Sequence, residues 1–424
     1  EGEGEGEGEG ELGDSVLLTV QERGGVNRSQ EYVSFGVPLP RSWNVTDLST
    51  LRLRIHGGSA VPAQFETLAR WGSHVGDTSA PVKWVLVGYQ ATLAAGASQT
   101  LELDQLGPGP APVTPVTIND ETPGLVTVDS GAALFAINTT AGFNLFDQVT
   151  VAGHPLLHPL AAAQAIAYAP AGADSIVGGA TPDFTARTTR TTVERAGPLC
   201  ALIKVEGSIL DGSARALLDF CARLHFYAGS SSVRVDFTVE NNQPVVEGDW
   251  GQPTNVHEQG SPNSVYIGSL SLNLRLADEG PVRALTENAV DIATVSAPLR
   301  LYQDSSGTAA WDNYVGLVGW PGMEASAHPR LQSYCTLPGY EITGDDLPGG
   351  ASGAQALGWM CASRNGAPGA HVTAAVRDFW QNFPKALAVI EDGTLSVDLF
   401  PNGVQFRHNF RVGEEKTHSI LYHF

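Results

Sequence analysis

Alternation of apolar and polar residues recurs along most of the chain and predicts β-strands. In the clearest stretch, Val233, Val235, Phe237 and Val239 alternate with polar or charged residues. A period of two gives a strand one apolar and one wet face, as in the antiparallel sheets of a β-sandwich. Further strand signals, separated by Gly, Pro or Asn, are present at 17–20, 32–35, 51–55, 82–89, 101–104, 125–128, 133–137, 201–209, 217–227, 395–400 and 418–424.

A helix is favoured only at 161–168, which is rich in alanine but long enough for about two turns. The run of Gly and Pro at 107–112 cannot join a sheet ladder properly and is typical of a linker. We therefore predict an all-β chain of two domains, with the boundary between 105 and 122.

Net charge and hydrophobicity limit the kinds of molecule that the chain is expected to bind. The chain has 45 acidic and 24 basic residues, which gives a formal net charge of −21. A surface of this charge repels phosphate backbones, so we predict no nucleic-acid partner. No apolar run reaches the ~18–20 residues of a membrane-spanning helix, so we predict no transmembrane segment.

The first residues form an acidic arm in which glutamate alternates with glycine from Glu1 to Glu11. One interpretation is a flexible tether that separates the folded body from a lipid or a cell wall. The other is a strand that pairs with a neighbouring copy, because a period of two would place every carboxylate on one face. Under the second interpretation, self-assembly would involve the arm and the start of the first strand, with contacts from Glu1, Glu11, Leu12, Leu17, Leu18 and Val20.

Four cysteines occur, none of them in a C-x-x-C arrangement that would indicate zinc: Cys200, Cys221, Cys335 and Cys361. In an oxidising compartment they would form two disulfides. Cys200 and Cys221 flank a predicted hairpin, and their pairing would leave Cys335–Cys361 by elimination. The hairpin places Cys221 nearer to residues 202–204 than to Cys200, so this pairing and four buried thiols both remain open.

Several phrases at the two ends of the chain form a family-like pattern. They are 33–40, 61–66, 68–71 and 82–87 near the start, and 376–385, 393–395 and 413–418 near the end. These phrases resemble rhamnogalacturonan exolyases and their YetA-like relatives. In that family the first group lies in a small β-barrel of the RIFT type, and the second closes a central β-sandwich.

The resemblance implies a small N-terminal β-barrel followed by a large antiparallel β-sandwich. The predicted parts are an acidic tail (1–14), a barrel-like domain (15–105), a Pro-rich linker (106–122) and a sandwich domain (123–424). The family carries its lyase chemistry mainly in a helical α/α toroid after the sandwich, and this sequence ends at Phe424, where the toroid would begin. The resemblance therefore implies the fold and supplies no catalytic residue.

Aromatic side chains in loops are candidates for sugar binding, because flat rings stack on the apolar faces of sugars. Trp250, Trp311 and Trp320 lie in loops that contain Gly or Asp. They are the predicted carbohydrate-binding residues. Candidates for a catalytic base of β-elimination are isolated His and Tyr residues, namely His225 with Tyr227, His257, His328 and Tyr340.

Calcium is the one cofactor that the sequence allows, because clustered carboxylates supply the oxygen ligands that it prefers. The candidates are the pairs Asp345 with Asp346 and Glu247 with Asp249, and the single residue Asp378. None has the spacing of a recognised calcium loop, so we predict no cofactor and no metal site.

The combined interpretation is a secreted or cell-surface, non-catalytic β-rich module of polysaccharide-lyase-like architecture. Its predicted partners are a polysaccharide, other copies of itself, or both. The alternative is a carbohydrate-active enzyme such as a pectic polysaccharide lyase, or a fragment of one without its catalytic helical domain.

Overall fold

The computed structural model describes residues 15–140, 142–170, 184–244, 265–277, 279–307, 337–364, 370–402 and 408–424. Nearly all regular structure within these ranges is β-strand, so the predicted all-β class is confirmed. In the same ranges no helix has the length and apolar character needed to cross a membrane.

The strands of the first part of the chain are β1 (Ser15–Gln21), β2 (Arg28–Pro38), β3 (Arg52–Ile55), β4 (Ala63–Arg70), β5 (Val82–Leu93) and β6 (Ser98–Asp104). The next strands are β7 (Thr117–Asn119), β8 (Leu125–Asp129), β9 (Ala133–Asn138), β10 (Gln148–Val151), β11 (His154–Pro155), β12 (Leu157–His158), β13 (Ile166–Pro170), β14 (Thr185–Ala196), β15 (Cys200–Leu210), β16 (Ala216–Tyr227) and β17 (Ser232–Glu240).

The remaining strands are β18 (Val265–Leu276), β19 (Val282–Thr286), β20 (Asp291–Ile292), β21 (Leu299–Gln303), β22 (Tyr340–Thr343), β23 (Ala351–Gly353), β24 (Trp359–Arg364), β25 (His371–Val376), β26 (Lys385–Val389), β27 (Thr394–Phe400), β28 (His408–Phe410) and β29 (Glu415–His423). The helical pieces are α1 (Ala162–Ala165) and three 3₁₀ turns at Arg41–Trp43, Leu48–Thr50 and Trp380–Asn382.

The chain divides into two compact units. Unit 1 comprises Glu1–Thr117, Arg195–Ala201 and Tyr227–Gly229. Unit 2 comprises Ile118–Glu194, Leu202–Phe226 and Ser230–Phe424.

Unit 1 contains two three-stranded antiparallel sheets, in the orders β1-β6-β3 and β2-β5-β4. They share one apolar core, in which Leu53, Val85 and Leu103 are fully buried. The strand pairings of the described residues do not join the two sheets into a closed ring, because β5 pairs only with β2 and β4 while β6 pairs with β1 and β3. The predicted N-terminal β-barrel is therefore observed as two three-stranded sheets that share a core and not as a closed barrel.

Unit 2 is built around two nine-stranded sheets. Sheet A has the order β14-β15-β16-β17-β29-β25-β24-β19-β20, and sheet B has the order β12-β18-β27-β26-β21-β22-β23 with β13 and β28 also paired to β18. The predicted alternation in β17 is confirmed, since Val233, Val235, Phe237 and Val239 are all completely buried. A five-stranded sheet, β11-β10-β9-β8-β7, contributes Phe135, whose ring lies 5.0 Å from Phe226 of sheet A.

The predicted helix at 161–168 is mostly wrong. Only Ala162–Ala165 is helical, and the chain continues as β13, which pairs with β18. A single four-residue turn gains little on its own, whereas Ile166 and Tyr168 favour a strand and have a partner for their backbone hydrogen bonds.

The predicted Cys200–Cys221 disulfide is absent, since both residues are thiols. The reason is the register of the β15–β16 hairpin, in which Ser208 Oγ donates to Asp219 Oδ1 at 2.6 Å. This pairing places Cys221 across from 205–206, about five residues along β15 from Cys200, or roughly 17 Å. A disulfide requires Cα atoms within ~7 Å. Cys361 is also a thiol, and Cys335 lies outside the described residues.

Candidate functional site: the polar face of sheet A

The face of sheet A opposite its apolar residues carries polar side chains that are only half exposed. The alternation along β17 and β29 creates it, because Arg234, Asp236 and Ser419 point away from the buried valines and from Ile420. We call this surface the polar face of sheet A. Half-buried polar groups on an accessible sheet are suited to hydrogen bonding with a polar ligand.

A single register row crosses five neighbouring strands of this face, from β16 to β24. Successive Cα partners across the strands are His225, Arg234, Leu421, Ala375 and Trp359. Neighbouring strands lie ~4.8 Å apart, so the row is roughly 19 Å long. We call it the His225–Trp359 row.

The first end of the row is a bonded polar cluster. His225 Nε2 lies 2.9 Å from Asp236 Oδ2, and Ser419 Oγ donates to Asp236 Oδ1 at 2.6 Å. An ionised carboxylate only accepts, so Nε2 of His225 donates in this bond. Arg234 Nη2 lies 3.0 and 3.2 Å from the two ring nitrogens of His225.

The charge of Asp236 is stabilised by this cluster. Burial acts to raise the pKa of its carboxyl, but hydrogen bonds from His225 and Ser419 and the charge of Arg234 outweigh it and hold the pKa at about 2. The carboxylate therefore stays ionised at neutral pH, and from its place beside the row it fixes the orientation of His225 and Arg234.

The second end of the row is apolar. Trp359 and Met360 are consecutive in β24, and since Met360 is completely buried, Trp359 lies on the opposite, polar face. Leu421, two strands away in the same row, is 44% exposed, and Ala375 between them adds only a methyl group. An indole next to exposed aliphatic surface forms a platform on which a sugar ring can stack.

Hydroxyl and imidazole groups flank the row on one side. Ser232, His423 and Thr373 are register partners there, and Ser232 Oγ lies 2.9 Å from His423 Nδ1. The ring centroids of His371 and His423 are 5.6 Å apart. Burial, and then the proximity of His371, lowers the pKa of His423, which favours a neutral ring able both to donate and to accept.

Only some of the candidate residues predicted from the sequence lie within the described ranges, and these lie in different parts of the fold. Trp250, Trp311 and Trp320, the predicted sugar-binding residues, lie outside the described ranges, as do His257 and His328. His225 belongs to the row, but Tyr227 belongs to unit 1, where its ring lies 5.4 Å from that of Tyr32. Tyr340 is buried, and its hydroxyl accepts a hydrogen bond from Asn288 Nδ2 at 2.8 Å.

The acidic candidates serve local structure where they are described. Asp346 accepts hydrogen bonds from the backbone and the hydroxyl of Ser296, both at 2.6 Å. Asp378 has a positive φ of 52° next to a short 3₁₀ turn. Within the described ranges no group of three or more His, Cys, Asp or Glu could hold a metal ion. Glu247 and Asp249 lie outside those ranges.

The predicted assembly residues divide between the described and the undescribed parts of the chain. Glu1, Glu11 and Leu12 lie outside the described ranges, while Leu17 is 59% exposed on β1. Leu18 and Val20 pack against the core of unit 1, and β1 pairs with β6 of the same chain. The strand from Ser15 onward is thus part of its own unit.

Sequence reasoning missed Trp359 and Leu421. The available signal was weak, because Trp359 opens a six-residue strand whose apolar content gives little alternation. For Leu421 the signal was its position between Ile420 and Tyr422, because a period of two places it on the face opposite to theirs.

Comparison with known families gives one match, which covers less than half of the chain. Residues 116–245 match the family described as PcRGLX-like protein central beta sandwich domain. This match supports the rhamnogalacturonan-lyase-like resemblance at the level of the β-sandwich. It covers β7–β17, a part of the chain that contains none of the phrases on which the resemblance rests.

Two of the solved structures that match this chain are much longer proteins. An alpha-mannosidase from Enterococcus faecalis V583 has 10% identity and a TM-score of 0.49, over 97% of this chain and 43% of that one. A protein of glycosyl hydrolase family 38 from Enterococcus faecalis has 11% identity and a TM-score of 0.48, over 97% and 44%. This chain thus spans less than half the length of either protein, and no curated protein matches it.

Proposed function

We propose that this chain is a secreted or cell-surface, carbohydrate-binding β-sandwich module of polysaccharide-lyase-like architecture. The observation that carries the proposal is the His225–Trp359 row, which joins an apolar platform to a guanidinium and an imidazole along one accessible sheet face. Sugars present apolar ring faces and polar edges, and this row offers a surface for each. The match to the sandwich of rhamnogalacturonan-lyase-like proteins supports a pectic polysaccharide as the ligand.

The chemistry of the polar end favours binding over catalysis. β-Elimination requires a free base beside a group that neutralises the uronate carboxylate. Both ring nitrogens of His225 lie near the donor-only guanidinium of Arg234, and Nε2 is bound to Asp236. This arrangement holds the imidazole in place and does not leave it poised to abstract a proton.

Substitution of Trp359 by alanine should weaken retention on immobilised rhamnogalacturonan about tenfold, because the stacking platform is lost (a tenfold change is ~1.4 kcal/mol). Arg234→Ala should weaken it similarly through loss of hydrogen bonds from the guanidinium. Affinity electrophoresis at fixed salt measures both. Thr417→Ala, an exposed change on the same sheet face but outside the row, is the matched control.

A second measurement uses thiols already on the polar face of sheet A. Cys361 follows Trp359 by two residues on β24, while Cys221 lies on β16 in a different register row. Bound polysaccharide should slow alkylation of Cys361 more than that of Cys221. Equal retention of all variants with unchanged alkylation rates would exclude the row as the binding surface, and the triple substitution of Trp250, Trp311 and Trp320 would then test the loop alternative.

We also propose that copies of the chain associate through residues 1–14. The support is that this acidic segment leads directly into β1, an edge strand whose outer backbone has no partner among the described strands. Deletion of residues 1–14 should leave β1 and a folded monomer intact but abolish larger species in light scattering. An unchanged mass distribution after that deletion would contradict the role of the arm.

A further inference from the structure

Two exposed cations of unit 1, Arg41 and Lys83, lie beside the ring of Trp71. The distance to the ring centroid is 4.9 Å from Lys83 Nζ and 5.9 Å from Arg41 Cζ. An aromatic ring attracts a cation through its electron-rich face without neutralising the charge. Neither cation forms an ion pair with a residue of the described ranges. We call these three residues the cationic patch of unit 1.

Three segments of unit 1 meet to build this patch. The backbone N–H of Leu39, which precedes the 3₁₀ turn that begins at Arg41, donates to the Lys83 carbonyl at 2.9 Å. The N–H of Trp71, directly after β4, donates to the Pro81 carbonyl at 2.8 Å. The end of β2, the end of β4 and the start of β5 are therefore held together at the patch.

The carboxylates of the two loops that contribute to the patch are bound to serine hydroxyls. Asp77 is the acidic residue of the β4–β5 loop, and the hydroxyls of Ser73 and Ser79 donate to it at 2.7 and 2.6 Å. Asp47 is the acidic residue of the β2–β3 connection, and the hydroxyl of Ser49 donates to it at 2.7 Å. The positive charge of the patch is thus available to an anion from outside these loops.

The acidic arm is attached at the end of unit 1 that carries the patch. At the other end, the loop after β1 contacts the loop after β5, since the N–H of Glu22 donates to the Ala97 carbonyl at 2.9 Å and the N–H of Ala95 donates to Asn27 Oδ1 at 3.0 Å. β1 pairs antiparallel with β6, and β2 pairs antiparallel with β5. The start of β1 at Ser15 therefore lies at the same end as the start of β5.

We propose that the cationic patch of unit 1 binds the acidic arm, residues 1–14, of a second copy of the chain. The arm has six glutamates and Asp14 but no basic residue. Successive glutamates of an extended arm are roughly 7 Å apart, so two of them can contact the two cations beside one ring. The inference rests on the association through residues 1–14 proposed above and names the surface that receives the arm.

Reciprocal exchange of arms explains why a second copy is involved. Because arm and patch lie at the same end of unit 1, two copies related by a twofold axis can each place an arm on the patch of the other. A fully extended arm of 14 residues spans at most roughly 50 Å, which is ample for such a crossing. Once the first arm is bound, the second binds at the high effective concentration of a tethered ligand. A free anionic polysaccharide lacks this advantage.

The test uses the full chain with the six glutamates of its own arm changed to glutamine. A fluorescent peptide with the sequence of residues 1–14 should bind this protein in an anisotropy titration at low salt. Arg41→Gln combined with Lys83→Gln should weaken binding about tenfold, and salt at about 0.5 M should weaken it further, because exposed ion pairs are screened. Arg23→Gln combined with Arg377→Gln is the matched control, since it removes two exposed cations elsewhere and should leave binding unchanged.

The peptide decides whether the patch receives the arm. No binding, or equal binding to the Arg41→Gln, Lys83→Gln protein, would overturn the inference. Binding of polygalacturonate at the patch without binding of the peptide would do the same, and it would assign the patch to a polysaccharide.

Light scattering of the natural sequence separates this inference from the proposed association. Larger species that are lost in the Arg41→Gln, Lys83→Gln protein support both. Larger species that persist in it would place the association at another surface. A natural chain that stays monomeric while the peptide binds the patch would show that the association fails and that the arm binds the patch of its own chain.

Discussion

Replacement of Lys385 by methionine is expected to raise the free energy of unfolding at pH 7, and the gain should disappear as the pH approaches 10.5. Lys385 is only 3% exposed, and Nζ donates to the carbonyls of Pro384 and Leu399 at 3.1 and 2.7 Å. The part of the chain that the structure describes supplies no carboxylate as an ion-pair partner. Burial, and then the charge of Lys416, lowers its pKa from 10.5 to about 7.

The neighbours of Lys385 explain why a charged ammonium group is unfavourable at this position. Its Nζ lies 5.5 Å from the centroid of the Phe400 ring, and the rings of His408 and His418 lie 5.1 and 5.5 Å from the same ring. Burial lowers the pKa of His408 to about 4 and that of His418 well below 6.5, with Lys385 adding to both effects. Burial therefore disfavours the charged form of all three basic groups.

The sign of the pH dependence follows from linkage. Above pH 10.5 the lysine is neutral in both states, and it contributes no penalty. As the pH falls towards 7 the unfolded chain takes up a proton that the folded chain resists, so folded-state stability decreases by an amount on the order of 4 kcal/mol. Methionine removes this destabilisation but also loses the two hydrogen bonds of Nζ. The free energy of unfolding at pH 7 is therefore expected to rise by roughly 1–4 kcal/mol.

Urea unfolding of both proteins at intervals from pH 7 to pH 10 measures the difference in the free energy of unfolding. Lys204→Met is the matched control, because Lys204 is partly exposed and bound to Glu194 and Glu206. That change should cost no more than ~1 kcal/mol. A Lys385→Met protein that is less stable than the parent at pH 7, with a difference independent of pH, would show that the lysine is charged and paired.

Strand prediction succeeded where the signal is local. In β17 every apolar position of the pattern is fully buried, because a period of two determines the two faces of a strand without reference to the rest of the chain. The signal failed for β26, where Ala386 and Ala388 have low β propensity. Neighbouring strands on both sides supply the hydrogen bonds that make this segment a strand.

The candidate site could not be predicted from the sequence because it depends on register. His225 and Trp359 become members of one row through four separate strand pairings, and each pairing is fixed by packing across the sandwich. His225 was recognisable only as an isolated histidine. Loop tryptophans offered a local signal, whereas Trp359 lies in a strand, and its side chain could equally have faced the core.

Substitution of Asp236 by asparagine should lower the free energy of unfolding at pH 7 by roughly 2 kcal/mol. Asparagine keeps an acceptor for Ser419 but loses the charge that pairs with His225 and Arg234. The folded-state pKa of Asp236, about 2 against an ordinary 3.8, means that its contribution is complete above pH 3.8 and is lost as the pH falls through 2. The difference between the two proteins should therefore shrink between pH 4 and pH 2.

Glu240→Gln provides the control for Asp236→Asn, since Glu240 lies on the same strand and the same face but opposite Glu415 and Asp219, which are also acidic. Loss of a carboxylate from that group should leave stability unchanged or slightly higher, because like charges across a sheet repel. If Asp236→Asn instead costs nothing at pH 7, the carboxylate does not hold His225 and Arg234 in place. The polar end of the row would then have to be ordered by the ligand itself, and retention on polysaccharide should survive Asp236→Asn while still failing in Arg234→Ala.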